Sequence, residues 1–292
     1  MPPKIIPESE LILNSDGSVY HLNLLPEDIG DTVITVGDPD RVPKVSQYFD
    51  DIELKKGKRE IITHTGRLGK HRITVLSTGI GTDNIDICLT ELDALVNVDL
   101  GTRTIKPDLR SLNIIRLGTT GGLQPDAAVD SFVVTRYAFG FDSLLQFYRY
   151  DNDGAEQQLA QAAQSHFADA KLTPYVIGGS EGLHDLFVDQ CHSGITATCC
   201  GFYGPQGRRV RAPLSIDDLM GELQRFQHQG KRIVNFEMET AGIYGLGKIL
   251  NHHCCSLSAV MVNRHDKTVS NTPEETVDRL IRYGLETLSN KL

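Results

Sequence analysis

Short β-branched runs alternate with stretches of helical period along this chain. Residues 32–36, Thr-Val-Ile-Thr-Val, predict a strand that closes in the turn Gly37-Asp38-Pro39-Asp40. A helix is predicted over 42–48 and strands over 52–55, 59–65 and 72–77, with Gly69-Lys70 turning the last two. Ile85, Cys88, Leu89, Leu92 and Leu95 fall at helical spacing and predict a helix over 84–98. Residues 99–112 are polar, hold a proline and read as an insertion or surface loop. Ile114, Ile115 and Leu117 close a buried strand, after which 118–122 reads as a glycine-rich loop. Strands over 132–138, 175–178, 194–198, 231–236 and 254–263 then interleave with helices over 155–167, 216–229, 238–250 and 274–288. Ser215 or Asp217 is the expected cap of the 216–229 helix. This order predicts an α/β fold: one domain around a mixed sheet, residues 19–292, behind an extended N-terminal arm over 1–18.

Composition narrows the partners more than the fold. A net charge of −9 without any Lys/Arg-rich block argues against nucleic acid. The first ten residues hold no apolar core of signal-peptide length. No stretch approaches the roughly 18 apolar residues of a membrane span, so no membrane partner is expected. Cysteines come as two adjacent pairs, Cys199-Cys200 and Cys254-Cys255, plus Cys88 and Cys191. That is not disulfide spacing, and it fits a reducing cytoplasm.

Arg116 is the residue hardest to accommodate in this pattern. It sits among Ile114, Ile115 and Leu117 at the end of a buried strand. A guanidinium there needs an anion, either a ligand or a structural carboxylate. Gly118, Gly121 and Gly122 let backbone N–H groups approach a ligand, and Thr119 and Thr120 add hydroxyls. Three other segments deliver charge to a glycine- or proline-bearing junction. Gly37-Asp38-Pro39-Asp40-Arg41 sets an arginine in the first turn of a helix, suited to an oxyanion or merely solvated beside an Asp cap. Asn235-Phe236-Glu237-Met238-Glu239 sets two carboxylates at a strand-to-helix junction. Capping accounts for one of them, and the pair could accept from the vicinal hydroxyls of a ribose. Paired glycosidase acids are a third reading, but those flank a sugar from opposite sides, which one segment does less naturally. Phe202-Tyr203-Gly204-Pro205-Gln206-Gly207-Arg208 joins a ring face to an amide and a guanidinium. It could read a planar base or form an ordinary surface loop.

With Ser77-Thr78-Gly79-Ile80-Gly81 added, the segments at Gly37, Arg116 and Asn235 occur in an order and spacing similar to the nucleoside phosphorylase-I family. Val262-Asn263-Arg264 and the Phe202 loop resemble its uridine-cleaving branch. The match runs from about Tyr20 to the C-terminus, leaving out the arm and the 99–112 insertion. The resemblance implies a three-layer α/β/α domain with a central mixed β-sheet. It implies pentosyl transfer in pyrimidine salvage, the reversible phosphorolysis of uridine or a related nucleoside to free base and ribose 1-phosphate. Inorganic phosphate is then a co-substrate, and no cofactor is needed.

By that resemblance Gly37, Arg41, Arg116 and Thr119 would hold phosphate, and Arg59 would reach the same phosphate from a neighbouring subunit. His21 would contact the ribose 5′-hydroxyl across the interface. Glu237, Met238 and Glu239, with Thr119 beside them, would hold the ribose, Glu239 on its 2′- and 3′-hydroxyls. Phe202, Gln206 and Arg208 would read the uracil, with Gly121 nearby and Arg264 completing the network. The catalytic set is then Arg116, Glu239, Arg208 and Gln206. Sharing of sites requires at least a dimer, and bacterial relatives are often hexamers. Purine-cleaving members place an aspartate where Asn263-Arg264 stands here, which favours a pyrimidine. Phe236 replaces a common tyrosine. Glu60 and Ile80 resemble an interfacial potassium site, but Asn84 stands in place of its serine, and no metal is assigned.

Other motifs are weaker. Gly79-Ile80-Gly81 lacks the third glycine of a dinucleotide fingerprint. Gly245-Leu246-Gly247-Lys248 lacks the Ser/Thr of a P-loop, and His252-His253-Cys254-Cys255 lacks the spaced pairs of a zinc site. A nucleoside hydrolase would leave the arginines without an anion, and a non-catalytic nucleoside sensor would have no use for a phosphate set. A purine nucleoside phosphorylase of the same fold is the remaining alternative.

Overall fold

The computed structural model describes residues 4–291. The apolar run Thr32–Val36 becomes β1, buried on both faces, and the Asp38-Pro39 turn leads into α1 (Arg41–Ser46). An antiparallel meander follows, β2 (Asp51–Lys58), β3 (Ile61–Leu68) and β4 (His71–Ser77), and then α2 (Thr82–Asn97). Arg59, expected inside a strand, instead occupies the β2–β3 turn in the left-handed region, with φ +56. The 99–112 segment is not featureless, since β5 (Val98–Asp99) and β6 (Thr104–Ile105) pair as a hairpin at its start.

The largest departure from expectation lies at 118–122. Those glycines and threonines do not form a loop. They extend β7 (Asn113–Gly122). The later elements are β8 (Phe132–Gly140), α3 (Gly154–His166), β9 (Tyr175–Gly178), α4 (Glu181–Asp185), β10 (His192–Thr198) and α5 (Leu219–Arg225). They are followed by β11 (Gln227–His228), β12 (Lys231–Glu237), α6 (Thr240–Ile249), β13 (His253–Asn263), β14 (Thr268–Val269) and α7 (Pro273–Lys291). β13 runs parallel to β7 out to Asn263↔Gly122, and β12 closes on it from the other side at Phe236↔Gly121. Glycine reads as a turn residue, but here it admits close neighbours: a Cβ on Gly122 would lie 2.5 Å from the Ala127 carbonyl oxygen.

The sheet order β11-β12-β10-β8-β13-β7-β1-β4-β3-β2 is therefore mixed, and the β12–β7 pairing closes five strands into a ring. Helices cover both faces. α2 and α6 bury Ile85, Leu89, Leu92, Ile243 and Leu246 on one side. α1 and α7 bury Val42, Val45, Leu280, Ile281, Leu285 and Leu288 on the other. This is the expected α/β arrangement. The 216–229 helix is shorter than its pattern suggested, because Gln229 (φ 49) and Gly230 (φ 75) turn β11 back onto β12. Asp218, not Ser215 or Asp217, caps α5 by accepting from the Gly221 N–H. The arm is packed on the domain. Leu11 is buried in the core with Val19, and Arg103 donates to the carbonyls of Ile6, Pro7 and Leu11.

Candidate active site

Residues at or just beyond the carboxyl ends of β1, β4, β7, β10, β12 and β13 converge on a cleft of about 840 Å³. Open α/β sheets bind ligands at such strand ends. Gly37, Arg41, Arg116, Thr119, Gly121, Phe202, Gln206, Arg208, Glu237, Met238 and Glu239 all line it, from segments far apart in sequence.

At one end stand two arginines. Arg41 opens α1, and its Nη1 donates to the Leu117 carbonyl at 3.2 Å. Burial, and after it the charge of Arg116, lowers its pKa. Arg116 is buried at 5% exposure, and its guanidinium folds back over Gly118, where a Cβ would sit 1.8 Å from Nη1. Its Nη2 lies 2.6 Å from Glu239 Oε2 and 3.3 Å from Glu237 Oε2, and its Nη1 donates to Ser258 Oγ at 3.1 Å. Burial opposes its charge, but the two glutamates hold its pKa above the ordinary value. Of the two anions open to Arg116 from sequence, the structural carboxylate is therefore in place. Among the described residues no carboxylate forms an ion pair with Arg41.

The carboxylates divide their work. Glu237 Oε1 accepts from Thr198 Oγ1 (2.6 Å), and Oε2 accepts from the Glu239 and Thr240 N–H groups (2.8 and 2.9 Å) at the start of α6. Burial pushes its carboxyl above the usual range, with Arg116 opposing and Glu239 adding to the shift. Glu239 accepts from Arg116 through Oε2 and from the Gly81 N–H (2.9 Å) through Oε1. Gly81 holds φ +97 at the start of α2, so this bond ties the Ser77–Gly81 loop to the cleft.

At the other end, Gln206 is 2% exposed, and Arg208 donates to its side-chain oxygen and to the Phe202 carbonyl (2.7 Å). The Arg208 guanidinium lies 3.8 Å from the Phe202 ring centroid. Arg264 does not line the cleft but stands behind it, with Nη1 3.4 Å from the Gln206 carbonyl oxygen. Burial lowers the pKa of both arginines, and Arg264 adds to the effect on Arg208. Asn263 is bound inward to the Gln124 and Ala127 carbonyls (2.9 and 2.8 Å), and Asp266 is exposed beside His265.

His21 and Arg59 are outside their own chain's cleft. Arg59 is exposed on the β2–β3 turn. His21 is anchored to Glu91, which accepts from the His21 N–H and bonds Nδ1 at 2.6 Å. Glu60, Ile80 and Asn84 are at the cleft, Ile80 being 68% exposed. Among the described residues no group of three His, Cys, Asp or Glu side chains could hold a metal ion. Sequence reasoning missed Thr198, Ser258 and the Gly81 N–H; the first two reach Glu237 and Arg116 through the closed ring of strands, and the third comes from the loop after β4.

Residues 31–286 match the family model of the phosphorylase superfamily, and the chain belongs to that family. It is 31% identical to a uridine phosphorylase of Thermococcus kodakarensis over 85% of this chain and 79% of that one. It is 26% identical to the Escherichia coli uridine phosphorylase over 93% and 97%. A crystal structure of a Trypanosoma brucei nucleoside phosphorylase that shows uridine phosphorylase activity superposes with a TM-score of 0.87. That match has 28% identity and covers 95% of this chain and 99% of that one.

Proposed function

We propose that this chain cleaves uridine by reversible phosphorolysis, giving uracil and ribose 1-phosphate. The observation that carries the reading is the base end of the cleft: Gln206 and Arg208, backed by Arg264, with no acid among them. A departing purine needs a proton, whereas a departing uracil needs its negative charge stabilised. The inward-bound Asn263 and the exposed Asp266 supply no such proton.

Phosphate, in this reading, is held by Arg41, Arg116, Thr119 and the Gly37 loop, with Arg59 from a second copy. It lies under C1′ of the ribose, first as counter-ion to the oxocarbenium-like sugar and then as nucleophile. Arg116 has five N–H donors and commits two of them to Glu239 and Ser258, leaving others for phosphate. Glu239 fixes the ribose hydroxyls, Met238 and Glu237 line that wall, and Phe202 faces the base. Gln206 and Arg208 bind uracil more tightly as charge develops, which raises rate and not affinity alone.

A shared site makes the enzyme a homo-oligomer of at least two chains. No cofactor enters the chemistry, and six free thiols suit a cytoplasmic location. The test is uridine absorbance followed with and without inorganic phosphate. Loss that requires phosphate is expected. Loss without phosphate means a hydrolase, and binding without loss means a sensor.

A further inference from the structure

Glu237 and Glu239 face the same cleft, and sequence alone offers both as acceptors for the ribose. Their hydrogen bonds separate them. Each carboxylate oxygen presents about two acceptor sites. Glu237 Oε1 accepts from Thr198 Oγ1 at 2.6 Å and from the Thr240 N–H at 3.1 Å. Its Oε2 accepts from the Glu239 N–H at 2.8 Å and the Thr240 N–H at 2.9 Å, and Arg116 Nη2 lies 3.3 Å away. Glu237 is filled. Glu239 carries one donor on each oxygen, Gly81 N–H and Arg116 Nη2, which leaves one site free on each. Two free sites on adjacent oxygens match a vicinal diol.

We propose that Glu237 is a positioning residue that never touches the ribose and leaves its 2′- and 3′-hydroxyls to Glu239. This rests on the phosphorolytic reading above. Glu237 ends β12, grips Thr198 at the end of β10 and caps the first turn of α6. Thr198 Oγ1 in turn accepts from the Ala241 N–H at 2.9 Å. Two strand ends and a helix start are thereby fixed at one carboxylate, and Arg116 and Glu239 inherit their places from it. Replacing the carboxylate with an amide points an NH2 donor at backbone donors, so the first turn of α6 shifts and Glu239 moves with it.

The experiment compares uridine with 2′-deoxyuridine in the full-length enzyme with phosphate. Glu237→Gln is expected to lower kcat/KM for both by a similar factor, about a hundredfold for a displacement near 1 Å. The ratio between the two nucleosides stays at the wild-type value, and the KM for phosphate rises through Arg116. Glu239→Gln moves that ratio toward one. Thr198→Val, which keeps the carboxylate and removes one of its donors, repeats the Glu237→Gln pattern more mildly and serves if Glu237→Gln does not fold. A ratio that moves toward one in Glu237→Gln or Thr198→Val would overturn the proposal, because it places Glu237 on the 2′-hydroxyl. A lowered melting temperature with unchanged kcat/KM and phosphate KM would also overturn it, because the role is then only in folding. Wild-type turnover of both nucleosides without phosphate, or binding without turnover, would sink the underlying reading, whereas the variant outcomes above bear on Glu237 alone.

Discussion

Arg208 shows how little a side chain's fold contribution need say about its chemical one. It is only partly buried, stacks on the exposed ring of Phe202 and is held by its own loop through the Phe202 carbonyl and Gln206. Nothing in the sheet or its helices depends on those contacts. Among the described residues no carboxylate pairs with it, and its guanidinium stands where the proposed uracil anion would form; burial first, then Arg264, lowers its pKa. Arg208→Ala should therefore lower kcat by about 3 kcal/mol of transition-state stabilisation, as for one donor in a closed site. The melting temperature should stay close to that of the wild type. A variant that keeps its kcat and loses stability instead would place Arg208 in the fold and leave uracil without its main stabiliser. Arg116 is the opposite case, since its buried pairing with Glu239 and Glu237 makes its removal costly to folding and chemistry together.

Elements were legible where their pattern is local. The β-branched run at 32–36, the apolar Ile114, Ile115 and Leu117, and the segment 274–288 all form the predicted strand or helix. The junctions that carry Arg41, Arg116, Glu237 and Glu239 were readable because strands end there in charge and glycine. The continuation of β7 through 118–122 was not, because glycine carries no strand preference of its own. Its pairing comes from β13 and from β12, which returns from more than a hundred residues away. The same closure brings Arg116 to Glu239, 123 positions along the chain, a pairing that no local pattern announces. Packing between elements also sets an acid sensitivity. Ser46 at the end of α1 meets His64 of β3 at 2.7 Å, and burial first, then Lys55, lowers the His64 pKa. In the unfolded chain the imidazole titrates near its ordinary value of about 6.5. The folded state thus binds fewer protons than the unfolded one as the pH drops below that value. The contribution of His64 is fully present above about 6.5 and lost as pH falls through the lowered folded pKa. Melting temperature should decline from about pH 7 to pH 5, and His64→Gln should flatten that decline. An equally steep decline in the variant would assign it to other groups.

For the molecule as a whole, the question is what completes the cleft. Arg59 and His21 are absent from its lining, yet their chain neighbours Lys58 and Tyr20 are in contact. Lys58, next to Arg59, donates to the Tyr20 carbonyl and the Asn14 side chain and lies 3.8 Å from the Tyr20 ring centroid. This pins the arm to the β2–β3 turn, while Glu91 on α2 fixes His21. Arg103 clasps the arm further out, so the 99–112 insertion secures the same surface. Two-fold pairing of chains would let this surface and the cleft exchange between copies. Chains carrying Arg59→Ala and chains carrying Arg116→Ala should each be nearly inactive alone. Mixed by co-refolding in equal amounts, they should regain activity. In a mixed dimer one cleft combines the intact Arg116 of one chain with the intact Arg59 of the other, and the second cleft lacks both. Random pairing makes half the dimers mixed, so recovery should approach about a quarter of the wild-type rate. Recovery near zero from mixed dimers that circular dichroism shows to be folded would mean that Arg59 serves its own chain's cleft after rearrangement of the β2–β3 turn. Strong activity in Arg59→Ala alone would mean that Arg41 and Arg116 hold the phosphate unaided.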